Sequence, residues 1–159
     1  MILYFLRHGL AEDRETWNKD DDLRPLTEKG KQQMQQEAKA ISDLVPDLDA
    51  IITSPLVRAQ QTAEIVASYL GMQEGLVADE RLSPGFSVKE LGEIIQDYSG
   101  SEGLILVGHE PDFSLTLSSL IGGGRLIFKK GGFARVDLLQ LEPPQGELAW
   151  LIPPKALSS

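Results

Sequence analysis

Short apolar runs alternate along the chain with longer segments in which apolar residues recur every three or four positions. The short runs predict buried β-strands, and the longer segments predict amphipathic helices. The runs span residues 2–6, 50–53 and 104–107, followed by 134–141 and 148–152. The last two flank the turn-forming segment 142–146, which predicts an antiparallel hairpin. Alternation of strands and helices is typical of a layered α/β domain.

The sequence predicts four helices, and particular residues indicate where they begin or end. The first helix ends before Pro46, because proline disfavours helical backbone in the residue that precedes it. For the second helix, Ser54 is the predicted N-cap, Pro55 the first helical residue and Gly71 the residue just past its end. The third begins with a capping box at Ser87, and the fourth contains Phe113.

Composition narrows the class of protein. A length of 159 residues favours one domain over 1–159. The chain has no cysteine, which excludes disulfides and thiolate chemistry, and its net charge of −9 argues against binding to nucleic acid. It has neither the ~20-residue apolar stretch of a membrane span nor a basic leader. We therefore expect a soluble, cytoplasmic protein without a membrane partner; its composition defines no oligomeric state and is compatible with a monomer.

Polar residues of interest follow three of the predicted strands. Arg7 and His8 follow the first, Ser54 and Arg58 the second, and His109 the strand at 104–107; the chain has no other histidine. Each alone is more often a surface or structural residue. However, the carboxyl ends of parallel strands meet at one edge of a sheet, where ligands bind. Arg58 also lies in a first helical turn, where a cation is unfavourable unless it binds an anion. Together these residues predict an anion pocket.

Four segments resemble motifs of the histidine phosphatase superfamily, and they occur in the family's order. The tripeptide Arg-His-Gly at 7–9 resembles its signature, and 24–30 resembles its R-P-L-T-x-x-G segment. Residues 54–63 are similar to its S-x-x-x-R-A-x-Q-T-A stretch, and 107–111 to its late Gly-His motif. The short length and the R-P-L-T spelling look most like the SixA-type phosphohistidine phosphatases. This resemblance implies a three-layer α/β/α fold with a mostly parallel central sheet.

The resemblance also implies roles for four residues. His8 would attack phosphorus and become phosphohistidine, since a neutral imidazole is a competent nucleophile. Arg7 and Arg58 would bind the phosphoryl oxygens with their guanidinium groups, and His109, expected to be charged, would donate a hydrogen bond to a third oxygen. Water would then hydrolyse the phosphoenzyme. No cofactor or metal is expected, because side chains supply the positive charge and two histidines make a poor metal site.

The general acid and the substrate are less well defined by the motifs. Glu80, in a segment similar to the family's acid-bearing Glu-Arg, is the candidate acid, and the acidic run 20–22 is the rival. Leu10 and Ala11 depart from the polar residues that many superfamily members have there. The SixA-like features favour a phosphohistidine-bearing protein as substrate and partner. The alternatives are a small phosphomonoester phosphatase, a mutase-like enzyme and a non-catalytic phosphoprotein-binding module. A mutase-like enzyme is disfavoured, because the separation of His8 from His109 leaves little room for the substrate-capping insertions that mutases carry there.

Overall fold

Six strands form one sheet in the computed structural model, which describes residues 1–158. They are β1 (Ile2–Arg7), β2 (Ala50–Thr53), β3 (Leu76–Ala78), β4 (Gly103–Gly108), β5 (Phe133–Leu141) and β6 (Pro144–Ile152). Their order across the sheet is β3-β2-β4-β1-β5-β6. The first four are mutually parallel, β5 is antiparallel to β1, and β6 is antiparallel to β5. The predicted mostly parallel sheet is therefore confirmed.

Helices cover both faces of this sheet. They are α1 (Glu28–Leu44), α2 (Val57–Leu70), α3 (Val88–Asp97), α4 (Asp112–Leu120) and α5 (Pro154–Leu157). One apolar core lies between the sheet and α1, α2 and α5, and a second lies between the sheet and α3 and α4. Three short 3-10 turns lie at 21–23, 73–75 and 80–82. The arrangement is the predicted three-layer α/β/α fold.

The central strands have continuous apolar runs because both of their faces are buried. In β1, Leu3 and Phe5 point to the core beneath α3 and α4, whereas Tyr4 and Leu6 point to the core beneath α1 and α2. All four side chains are at most 1% exposed. Successive side chains of a strand point to opposite faces, so every residue of this run has a core to fill.

Two predicted boundaries are wrong. Helix α2 begins at Val57 rather than Pro55, and its N-cap is Leu56, whose side chain makes no capping hydrogen bond. The Ser54 hydroxyl instead accepts the Leu56 N–H and contacts His109. The β5–β6 connection is also shorter than predicted, since β6 already begins at Pro144. Strand β3 and helix α5 are absent from the predictions because both are too short to produce a periodic apolar pattern.

Close backbone approaches fix the segment that follows β1. Gly30 packs against this segment so closely that a Cβ atom there would lie 2.1 Å from the Leu10 carbonyl oxygen, which accepts the Thr27 N–H. On the other side, the N–H of Gly131, whose φ is +79°, donates to the carbonyls of both Arg7 and His8. A side chain at Gly30 would force this segment to move, and one at Gly131 would be strained by the positive φ and would meet the Glu37 carboxyl group.

Helix α1 buries a carboxyl group that has no ion-pair partner among residues 1–158. The Glu37 side chain is buried against Gly131, and its Oε2 makes no hydrogen bond to a described residue. Burial raises the pKa of Glu37 to about 8. The native protein therefore holds a proton at neutral pH that the unfolded chain, with a pKa near 4.5 for this group, has lost.

We predict that Glu37→Gln removes a pH-dependent loss of stability. A carboxyl whose pKa is raised in the native state favours folding fully below its unfolded pKa, and this contribution is lost as the pH rises towards 8. Relative to the variant, the wild-type free energy of unfolding should fall by up to about 1.4 kcal/mol per pH unit across that window. Urea unfolding of both proteins measures this, with Glu64→Gln, an exposed carboxyl on α2, as the control. A wild-type to variant difference that is independent of pH would contradict it.

Candidate active site

The carboxyl ends of β1, β2 and β4 lie side by side and form one wall of a large cavity. Arg7 in β1 is paired with Gly108 in β4, and Thr53 in β2 is paired with Val107. The residues that follow these strands therefore emerge at one edge of the sheet. The cavity has a volume of about 1190 Å³ and is lined by all four residues predicted for the anion pocket, namely Arg7, His8, Arg58 and His109.

The surroundings of the His8 ring define its tautomer and lower its pKa. Its Nδ1 lies 2.8 Å from the Gly9 carbonyl oxygen, which can only accept, so Nδ1 carries the proton and donates. Nε2 is then left with its lone pair. Burial lowers the pKa of His8 to about 3, and the positive charges of Arg58 and Arg7 act in the same direction. His8 is therefore a neutral imidazole near pH 7.

His109 lies beside His8 and is oriented by Ser54. The ring centroids of the two histidines are 5.3 Å apart, and His109 Nε2 lies 2.7 Å from Ser54 Oγ. Ser54 Oγ accepts the Leu56 N–H with one lone pair, and towards Nε2 it can either donate its own proton or accept with its second lone pair. When Ser54 is the donor, the proton of a neutral His109 ring lies on Nδ1, which is otherwise without a partner among residues 1–158.

The expectation of a charged His109 is not supported by its surroundings. Burial is the main cause that lowers the pKa of His109 to about 4, and the positive charge of Arg58 is the second. The ring is therefore neutral near pH 7 in the unliganded protein. It can still act as a donor, because Nδ1 is buried and has no partner among residues 1–158.

The two arginines use part of their donor capacity within the protein. Arg58 Nη1 and Nη2 donate to the backbone oxygen and Oδ2 of Asp21, at 2.9 and 3.1 Å. Arg7 Nη1 donates to the Phe128 carbonyl at 2.8 Å. The Nε of each arginine is buried and unpartnered. Five buried side-chain polar atoms within residues 1–158 lack a partner, and Arg7 Nε, Arg58 Nε and His109 Nδ1 are three of them.

Asp21, expected only as part of the rival acidic run 20–22, lies in the cavity wall, and its pairing with Arg24 and Arg58 was not predicted from the sequence. The Asp21 carboxylate accepts hydrogen bonds from Arg58 and, at 3.0 Å, from Arg24 Nε, and both residues line the cavity. Burial alone would raise the pKa of Asp21, but the hydrogen bond from Arg24 and the charge of Arg58 hold it below its usual value. Asp21 is thus an ionised acceptor. The R-P-L-T segment, which contains Arg24, was the available signal.

The structure does not bring Glu80 together with the other four predicted residues. Glu80 is exposed in the 3-10 turn at 80–82 and does not line the cavity. Its carboxylate lies 3.4 Å from the Ser83 hydroxyl, which donates to it. Pro84, farther along this loop, does contribute to the cavity wall. A general-acid role for Glu80 stays a prediction.

Within the described chain, six arginine and lysine side chains line the cavity, Lys130 among them, together with five carboxyl groups. Residues 1–158 contain no group of three or more histidine, cysteine or carboxylate side chains placed to hold a metal ion. Within the same part of the chain, no helix has both the length and the apolar character needed to cross a membrane.

Comparison with known proteins places this geometry in a family. The family model of the histidine phosphatase superfamily (branch 1) matches residues 3–83, and the chain belongs to this superfamily. An uncharacterised protein of Picosynechococcus sp. is 38% identical over 140 residues, which cover 83% of this chain and 82% of that protein.

Solved structures show the same fold. The protein histidine phosphatase SixA, complexed with tungstate, matches with a TM-score of 0.87 and 24% identity over 99% of each chain. An α-ribazole-5′-P phosphatase structure from Escherichia coli, described as putative, matches with a TM-score of 0.76 and 20% identity over 97% of each chain. The predicted SixA-like histidine phosphatase fold is confirmed, and the protein is a phosphatase of this superfamily.

We predict that both histidines are neutral between about pH 5.5 and 8, because their pKa values are lowered to about 3 and 4. We also predict that His8 carries its proton on Nδ1, which donates to the Gly9 carbonyl. Long-range ¹H–¹⁵N NMR spectra of the ring nitrogens measure this directly. The chain has only these two histidines, so His8→Ala and His109→Ala assign the signals. A midpoint near pH 6.5 for either ring, or a proton on Nε2 of His8, would contradict the assignment.

Proposed function

We propose that this protein removes the phosphoryl group from phosphohistidine on proteins, through a covalent phosphohistidine intermediate on His8 and without a metal ion. The observation that carries the proposal is one cavity lined by Arg7, Arg58 and His109 together with His8, whose Nε2 is free. Arg7 Nε and Arg58 Nε have no hydrogen-bond partner among residues 1–158, so neither guanidinium group is saturated within the protein. A phosphoryl group in this cavity would accept hydrogen bonds from these side chains with its oxygens.

Each step can be assigned to a named atom. His8 Nε2 attacks phosphorus, a new P–N bond forms to His8, and the P–N bond to the substrate imidazole breaks in line with the attack. The substrate ring, protonated on its other nitrogen, leaves as neutral imidazole, and the phosphorylated His8 ring, which keeps its Nδ1 proton, takes up the positive charge. The donors of Arg7, Arg58 and His109 bind the three equatorial oxygens, where negative charge is concentrated. Water then attacks the phosphoenzyme, which releases inorganic phosphate and returns the lone pair to Nε2.

The chemistry of the leaving group favours phosphohistidine. Five carboxyl groups of residues 1–158 line the cavity, and two of them are held as acceptors: Asp21 is ionised between two arginines, and both oxygens of Glu110 accept hydrogen bonds from Ser114 at 2.7 Å. The other three are Glu12, Asp13 and Glu15. An alkoxide leaving group requires protonation, whereas an imidazole is a far weaker base and departs more readily. The predicted acid, Glu80, does not line the cavity, which supports phosphohistidine over an alkyl phosphate ester.

One structural relative supports an oxyanion site in this fold, and another supports the alternative of a small phosphate ester as substrate. The SixA structure contains tungstate, a tetrahedral oxyanion with the shape of phosphate. The α-ribazole-5′-P phosphatase has the same fold and, by its name, acts on a small phosphate ester. Because both identities are below 25%, neither substrate transfers to this chain without an experiment.

We expect His8→Ala to abolish turnover, because the variant lacks the nucleophile, while tungstate binding persists because Arg7 and Arg58 remain. Rapid acid quenching and alkaline quenching of wild type with ³²P-labelled substrate should reveal an acid-labile, base-stable label. His109→Asn is the matched control: it keeps a donor in the cavity and should still form the labelled species. Full activity of His8→Ala would contradict the proposal.

Excess EDTA should leave wild-type turnover unchanged, because the positive charge that stabilises the transition state comes from side chains. Loss of activity with EDTA that Mg²⁺ restores would overturn the metal-free mechanism.

A substrate panel separates the two enzymatic alternatives. Phosphohistidine protein should be hydrolysed much faster than sugar phosphates, and Glu80→Gln should cost less than about tenfold on phosphohistidine, below the ~10²–10⁴ usual for loss of a general acid. Exposed Glu93→Gln on α3 is the control for a surface carboxyl. Sugar phosphates hydrolysed orders of magnitude faster than any phosphohistidine protein would assign the enzyme to small esters instead.

A further inference from the structure

A second cavity adjoins the catalytic one and continues it along the surface. It has a volume of about 540 Å³ and shares Arg7, Leu10 and Lys130 with the catalytic cavity. Lys129 and Lys155 complete the basic part of its wall. A substrate whose phosphoryl group lies at His8 can therefore place its neighbouring residues in this second cavity.

The charged side chains that residues 1–158 contribute to the second cavity are all cationic near neutral pH. The cations are Arg7, Lys129, Lys130 and Lys155, contributed by β1, the loop before β5, and α5. The one carboxyl side chain that the described residues add to the wall is Glu37, whose pKa is raised by burial to about 8 and which is therefore uncharged. This concentration of cations is unusual in a chain whose net charge is −9.

The lysines of this wall are not neutralised by the rest of the described chain. Within residues 1–158, no carboxylate oxygen lies within 4.0 Å of the ammonium groups of Lys129, Lys130 or Lys155, whereas Lys31, Arg81 and Arg135 have such partners. Burial and the nearby guanidinium groups of Arg7 and Arg24 lower the pKa of Lys130, which reflects the positive potential there. The wall thus presents fixed positive charge to a ligand.

The part of the catalytic cavity that is not shared with the second cavity has mixed charge. Its lining includes the acidic side chains Glu12, Asp13 and Glu15 together with Arg14 and Lys19. This difference in charge between the two cavities would orient an asymmetric partner, because like charges placed together are strongly unfavourable.

We propose that the wall formed by Lys129, Lys130 and Lys155 docks carboxylate side chains that flank the phosphohistidine of an acidic partner protein. The inference rests on the proposed function and adds the charge of the partner surface to it. Exposed charges act mainly on the rate of encounter and on specificity, and salt screens them. The docking contribution should therefore appear in binding and KM, not in kcat.

The experiment uses three synthetic phosphohistidine peptides of equal length whose flanking residues are Glu, Gln or Lys. Their dissociation constants are measured by calorimetry on His8→Ala protein, which cannot turn them over. We expect the Glu peptide to bind about tenfold more tightly than the Lys peptide at about 20 mM salt, and the difference to vanish at about 0.5 M salt.

A pair of charge-reversal variants locates the effect. Lys129→Glu/Lys155→Glu in the same background should abolish the preference, because two cations and two carboxylates then line the wall and the Glu and Lys peptides bind equally well. The matched control, Lys39→Glu/Lys89→Glu, changes the net charge equally at positions that line neither cavity and should keep the wild-type order. Lys130 is left intact because it also lines the catalytic cavity.

Equal affinity for the three peptides at low salt, or an unchanged order in Lys129→Glu/Lys155→Glu, would overturn the docking proposal. Competition by the same peptides against aryl phosphate hydrolysis by wild type gives a second measurement that does not depend on the stability of His8→Ala. Neither readout requires that the peptides be hydrolysed. Failure of the proposed function, seen as absent phosphohistidine turnover, is therefore distinguishable from failure of the docking proposal.

Discussion

The hydrogen bond from His8 Nδ1 to the Gly9 carbonyl is the interaction on which the site depends. It assigns the ring proton to Nδ1 and leaves Nε2 free, and it does so inside a buried cavity where a charged ring would be costly. The bond holds only while the segment after β1 keeps its shape. Gly131, which donates to the carbonyls of Arg7 and His8, and Gly30, which packs beneath Leu10, maintain that shape.

The site also requires several positive charges close together, and the Asp21 carboxylate offsets their mutual repulsion. Its carboxylate pairs with Arg58 and Arg24, and its backbone oxygen accepts a further hydrogen bond from Arg58. These contacts direct two guanidinium groups into the cavity wall and offset part of the cost of burying Arg58 at the start of α2. The Nε donors of Arg58 and Arg7 are not consumed by these contacts.

Much of this arrangement follows from local sequence. The strands at 2–6 and 104–107 are buried on both faces, so their apolar runs identify them, and parallel strands necessarily bring His8 and His109 to one edge. The role of Ser54 could not be found this way, because a serine before a helix is normally a cap and its contact with His109 spans 55 positions. The pairing of Asp21 with Arg58 spans 37 positions and likewise needs the folded loop at 20–24.

The position of the phosphoryl group on the trapped enzyme tests the central claim most directly. Phosphoenzyme formed from ¹⁵N-histidine-labelled protein and held at alkaline pH can be studied by NMR through the coupling of ³¹P to ¹⁵N. The tautomer fixed by Gly9 predicts phosphorus bonded to Nε2 of His8, with Nδ1 still protonated. Phosphorus bonded to Nδ1 of His8, or to either nitrogen of His109, would contradict the account.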